Sequence, residues 1–212
     1  MLGTLCFPLL HAAYLNGQPD VLGVAFAMLI LLLTQGYSFE RMEPGRLVTL
    51  FFATVLLILC RRWYLFWAVA YFACYAFSVA SLALCGQDAA QRRKVLLRLI
   101  AFGAGSVLLG ALLLFPMVKR IFSYNYAKNY GAFYLAGGFA GELGTQTGYL
   151  GYLAIGVMAL GLVWGCCRAQ RRRDVLLAAF GMLGGMYLFT RVQNMGVHQR
   201  SLTFLLVCIN SC

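Results

Sequence analysis

Two short segments of this 212-residue chain hold side chains whose types and spacing could do chemistry. One is the turn Arg61-Arg62-Trp63-Tyr64; the other runs from Arg191 to Arg200 and reads Arg-Val-Gln-Asn-Met-Gly-Val-His-Gln-Arg. A guanidinium is a planar fork that stays charged at every accessible pH and can give two parallel hydrogen bonds to the oxygens of one phosphate. Arg61, Arg62 and Arg191 are therefore candidates for a lipid phosphate or pyrophosphate. Gln193, His198 and Gln199 add donors and acceptors beside them, and Gly196 permits a sharp backbone turn. His198 can act as a neutral acceptor or, when protonated, as a donor. The competing reading is interfacial. Arginines at helix ends snorkel to headgroups, and Trp63, Tyr64 and Trp67 would form an aromatic belt at the membrane border.

A third group lies between Lys119 and Thr147, where Tyr124, Tyr126, Tyr130, Phe133 and Tyr134 are interspersed with Lys119, Arg120 and Lys128. The segment 119–147 is expected to be an external interfacial loop. Tyr124 and Tyr130 are candidates for an aromatic acceptor groove, with Glu142 reaching in from a glycine-rich stretch; anchoring at the interface is the alternative. No metal site is expected: the eight cysteines show no CxxC spacing and mostly sit in apolar runs, where they act as small fillers. No P-loop, dinucleotide fingerprint or solenoid repeat is present.

The elements that must position these groups follow from composition. The chain is 62% hydrophobic and 11% charged, with mean hydropathy +0.80, too apolar to hide its surface in a water-soluble core. Apolar runs at about 21–38, 47–60, 63–85, 95–118, 148–167 and 174–190 predict an all-α polytopic transmembrane bundle. That gives six full spans in a single domain over residues 1–212, with partial helices at both ends. The first thirteen residues lack a signal peptide's basic start and cleavage site, and the apolar run from Ser201 to Cys212 is too short to cross, so the chain reads as part of a longer protein. The 47–60 run is short enough to place the Arg61-Arg62 turn at some depth, where a charge serves a pathway or an anionic ligand. Gly161 with Gly165, and Gly181 with Gly185, have the spacing that lets helices approach closely inside one bundle. Pro116 predicts a kink or an early end to its helix.

Net charge +11 would suggest nucleic acid in a soluble protein. Here the basic residues cluster between apolar runs, as membrane topology requires, so no nucleic-acid partner is expected. Loops 86–94 and 168–173 are read as cytoplasmic, loops 119–147 and 191–200 as external. Ten Lys and Arg residues then fall inside and seven outside.

The Arg61-Arg62-Trp63-Tyr64 turn, the Arg191 to Gln199 segment and the Asn16-Gly17-Gln18-Pro19-Asp20 loop together resemble bacterial polytopic glycosyltransferases of the GT-C class. The resemblance implies transfer from a polyprenyl-phosphate-linked sugar on the outer face of the plasma membrane, without a nucleotide sugar or an identified cofactor. It also implies that the catalytic carboxylate sits on an external loop near the start of a longer protein. Asp20, alone in a turn-like sequence, is not assigned that role. A transporter or flippase for a lipid or polymer precursor, and a non-catalytic membrane scaffold, are the alternatives from other classes. A transporter should place charged or broken-helix sites near mid-membrane, and no acidic residue falls in the middle of an apolar run.

Overall fold

The computed structural model describes residues 20–35, 39–61, 63–86, 88–123 and 159–193, with positions 139–141, 144 and 156, and every regular element among them is helical. Helix α1 is Asp20–Thr34 and α2 is Pro44–Cys60, with a short 3-10 turn at Phe39–Arg41 between them. Helix α3 is Trp63–Gly86, α4 is Ala89–Ser123 and α5 is Ala169–Gln193; residues 159–167 are helical ahead of α5.

Three helical stretches are long and apolar enough to cross a membrane: Trp63–Cys85, Ala89–Arg120 and Arg172–Val192. Leu22–Thr34 and Pro44–Cys60 are apolar but shorter. The described residues thus support a helical membrane protein and include three helices of spanning length; the first part of the expected 148–167 span lies outside them.

Several boundaries differ from the apolar runs, for identifiable reasons. Helix α2 begins at Pro44, whose fixed φ suits the first helical position, and so includes Arg46, which the hydropathy pattern left in a loop. The supposed loops 86–94 and 168–173 are mostly helix: α4 starts at Ala89 and α5 at Ala169. Arginine, lysine and glutamine are good helix formers, so charge ends the apolar run without ending the helix. Similarly α5 carries on through Arg191 to Gln193. Helix α4 has 35 residues and passes through Pro116 to Ser123. At 1.5 Å per residue it is ~52 Å long, well beyond a hydrocarbon core of ~30 Å. Its charge-free portion, 99–118, lies between Arg98 and Lys119 and is the part of membrane length.

Arginines close the helix ends on one side of the bundle. The Arg46 side chain turns back so that Nε donates to the Leu33 carbonyl at 2.8 Å and Nη2 to the Leu32 carbonyl at 3.0 Å, at the end of α1. Arg98 of α4 donates to the carbonyls of Glu40 and Met42, and its guanidinium lies 5.6 Å from the centre of the Phe39 ring. Arg172 Nε donates to the Cys166 carbonyl at 2.9 Å. The last carbonyls of a helix have no partner within it, so each contact supplies a donor that the local backbone lacks.

The core runs along one stripe of α3. Trp63, Trp67, Tyr71, Tyr75, Val79 and Ala83 recur every four residues and are all buried. Trp67 stacks on Tyr71 at 5.0 Å between centroids, and Tyr71 on Tyr75 at 6.5 Å. Helix α5 covers part of this stripe through its glycines. A Cβ on Gly185 would stand 2.8 Å from the Trp67 Cα, and one on Gly181 3.0 Å from the Tyr71 Cα. On α1, Gly23 sits against the Tyr64 ring, where a Cβ would come within 2.5 Å. The Tyr71 hydroxyl meets Thr34 Oγ1 at 2.6 Å. These buried positions overturn the aromatic-belt reading of Trp63, Tyr64 and Trp67, which are 3%, 1% and 0% exposed. Small residues on α1 and α5 let those helices come close enough to cover rings that would otherwise face lipid.

Candidate functional site

Arg61 and Arg191, the described arginines of the two segments, fall at the same end of the bundle. On α5, Gly181, Gly185 and Phe189 pack in that order against Tyr71, Trp67 and Phe66 of α3, with the two phenylalanine rings 5.4 Å apart. Residue numbers rise on one helix as they fall on the other, so α3 and α5 are antiparallel. The start of α3, preceded by Arg61, therefore lies beside the end of α5, which carries Arg191. Helix α1 begins there too, since Gly23 touches Tyr64 while Thr34 reaches Tyr71. Lys119 and Arg120, exposed near the end of α4, belong to the same end because α4 runs alongside α2 in the same direction, with Arg98 at Met42 and Gly110 at Phe51.

Arg61 interrupts the chain between α2 and α3 with extended backbone, φ −158° and ψ 141°. Its carbonyl accepts the Tyr64 N–H at 3.1 Å, which closes a tight turn and lets α3 start at Trp63. The side chain is half-buried. Arg191 is exposed on the last turn of α5, its guanidinium 5.8 Å from the centre of the Tyr187 ring and its Nε 3.5 Å from the Tyr187 hydroxyl. That separation is at the long end of hydrogen bonding, so Tyr187 holds the cation loosely, mainly by its ring face. Phe139 packs edge-on against the other side of this system, 5.7 Å from Tyr187, and brings part of the 119–147 segment back over α5.

Gln193 ends α5, but its side chain lies outside the described residues, as do Arg62, His198, Gln199, Tyr124, Tyr130 and Glu142. Among the described residues no cluster of three His, Cys, Asp or Glu side chains could hold a metal ion. An end that presents Arg61, Lys119, Arg120 and Arg191 is suited to an anionic group by charge, and by the guanidinium fork to phosphate in particular.

The sequence reading missed the polar contacts at the opposite end. Tyr75, with 3% of its surface exposed, meets the Phe39 ring edge-on at 6.4 Å, and the Arg173 guanidinium lies 5.9 Å from the centre of its ring. Arg173 Nε is 3.8 Å from Asp174 Oδ1. The four-residue recurrence of Trp63, Trp67, Tyr71 and Tyr75 was the pattern that could have identified this face as buried.

No protein family, curated protein or solved structure matches the chain.

Proposed function

We propose that the chain is part of a membrane-embedded glycosyltransferase that takes its sugar from a polyprenyl-phosphate donor at the outer face of a bacterial plasma membrane. The observation that carries this reading is that Arg61 and Arg191 fall at the same end of the helices, as follows from the antiparallel packing of α3 on α5. The opposite end holds Arg92, Arg93, Lys94, Arg98, Arg172 and Arg173, and the excess of basic residues assigns it to the cytoplasm. The Arg61 end then faces outward. There the guanidinium groups would hold the donor phosphate and stabilise its charge as the sugar leaves, which is where pre-set donors act most strongly. Gln193, His198 and Gln199 would orient the sugar-phosphate, and Tyr124, Tyr130 and Glu142 would line the acceptor path.

The test is retention of a polyprenyl monophosphate by the detergent-solubilised protein. A charge-assisted hydrogen bond contributes about 1.5–3 kcal/mol, so Arg61→Ala combined with Arg62→Ala should weaken retention at least tenfold. The same double change should abolish sugar transfer in membranes that contain the protein. Unchanged retention and transfer would remove the reading and favour a scaffold. Loss of lipid movement between leaflets with sugar transfer intact would instead favour a flippase.

A further inference from the structure

Tyr187 and Arg191 stand four residues apart in the last turns of α5, and so on one face of the helix, one turn apart. A helical side chain leans toward the N-terminus of its helix, which carries the arginine stem back over the tyrosine. The guanidinium accordingly lies 5.8 Å from the centre of the Tyr187 ring, with Nε 3.5 Å from the hydroxyl. The ring is 46% exposed, yet α5 is not its only support. Phe139, from the 119–147 segment, meets it with centroids 5.7 Å apart and planes at 81°. Edge-to-face rings attract through their quadrupoles, so Phe139 braces the surface on which the guanidinium rests.

A ring face does something to an arginine that a carboxylate does not. A carboxylate cancels the charge and occupies the fork, whereas the ring quadrupole holds the cation and leaves its charge available to an anion. Arg191 has no carboxylate partner among the described residues. Its contact with the Tyr187 hydroxyl is through Nε, so the terminal pair Nη1 and Nη2 is left to give two parallel hydrogen bonds to the oxygens of one phosphate. An unsupported arginine at a helix end must give up its rotamer freedom when it binds. One already stacked on a braced ring has given up part of that freedom beforehand, and binds the same anion more tightly for it.

We propose that Tyr187 is a positioning residue for the donor phosphate: its ring holds the Arg191 guanidinium charged, with the terminal fork turned to the phosphate oxygens. This rests on the reading of Arg191 as a ligand of that phosphate, and adds to it a residue that touches the arginine and not the lipid.

The test is retention, by the detergent-solubilised protein, of two probes of equal chain length: a polyprenyl monophosphate and the parent polyprenol, which lacks the phosphate. Arg191→Ala should weaken retention of the monophosphate about tenfold and leave the polyprenol unchanged. A cation held on an exposed ring face corresponds to about two- to fivefold, so Tyr187→Leu should weaken the monophosphate by that factor and again spare the polyprenol. Tyr187→Phe keeps the ring and loses only the long hydroxyl contact, and should stay within about twofold of the wild type. Tyr187→Leu added to Arg191→Ala should cost nothing more, because no cation remains to be held. Equal weakening of both probes by Tyr187→Leu, failure of the phenylalanine to rescue, or a further loss on top of Arg191→Ala would each overturn the proposal and assign Tyr187 to packing alone. A monophosphate loss with Arg191→Ala but none with Tyr187→Leu would overturn it while leaving the donor reading intact. Unchanged retention by Arg191→Ala would remove the phosphate role of Arg191 itself, and the positioning role with it.

Discussion

The contact between Thr34 and Tyr71 shows how a single hydroxyl pair is fixed by counting protons. Thr34 Oγ1 lies 2.8 Å from the Ile30 carbonyl and 3.1 Å from the Leu31 carbonyl, and it has one proton to give. That proton goes to the preceding turn of α1, so at 2.6 Å the Tyr71 hydroxyl must be the donor and Thr34 the acceptor. Both residues are buried, and deleting one leaves the other without its partner. Tyr71→Phe should therefore cost about 1–3 kcal/mol in reversible unfolding in detergent. Thr34→Val should cost a similar amount, since the valine keeps the shape and loses the acceptor. The double variant should cost clearly less than the two single losses combined, because no orphaned group remains. Additive losses would mean that the pair is not coupled and that each side chain contributes only through packing.

At the scale of elements, what decides the architecture is how near α5 comes to α3. The Gly185 position leaves no room for a methyl group beside the Trp67 backbone, whereas Gly105 on α4 faces open space. Gly185→Ala should push the helices apart and cost about 1–3 kcal/mol, as overpacking does. Gly105→Ala should be neutral or stabilising, because alanine is favoured over glycine in a helix by about 0.5–1 kcal/mol. Thermal unfolding of the two variants side by side checks the crossing; equal midpoints would contradict it. This crossing was legible in the sequence as Gly181 and Gly185 spaced four apart, and the long helices were legible as apolar runs. What those runs could not reveal was where the helices stop. Arg46 and Arg92 look like loop residues by charge, yet each lies within a helix, and the carbonyls that Arg46 and Arg98 reach lie 13 and 58 residues away in sequence. Which carbonyl an arginine reaches depends on the tertiary placement of Leu33 or Glu40, which no local pattern encodes. The same reason hid the burial of Trp63 and Trp67: an aromatic residue at a helix end is belt or core according to whether another helix covers it. Of the candidate site, the placing of Arg61 and Arg191 at one end was not legible either, because it follows from the antiparallel packing of residues more than a hundred apart, such as Trp67 against Gly185.

For the whole molecule, the cysteines read out which end faces the cytoplasm. Cys85 closes α3 and Cys167 stands just before α5, and both are exposed, free thiols. The antiparallel packing of α3 and α5 puts these two at one end, the end of Arg92, Arg93, Lys94 and Arg172. Cys60, at the close of α2 beside Arg61, is at the other. On the orientation proposed above, the Cys85 and Cys167 end lies inside. In variants that retain only one of these cysteines, a membrane-impermeant maleimide should leave Cys85 and Cys167 unlabelled in intact cells and label both once the membrane is permeabilised. Shared behaviour is required by the fold, since no rigid arrangement with these two thiols at one end can label one from outside and protect the other. Protection of both places Arg61 and Arg191 on the outer surface, where a lipid-linked sugar would be presented. Labelling of both in intact cells would reverse the molecule, move the arginine end into the cytoplasm and eliminate transfer at the outer face, while leaving the helix packing unaffected.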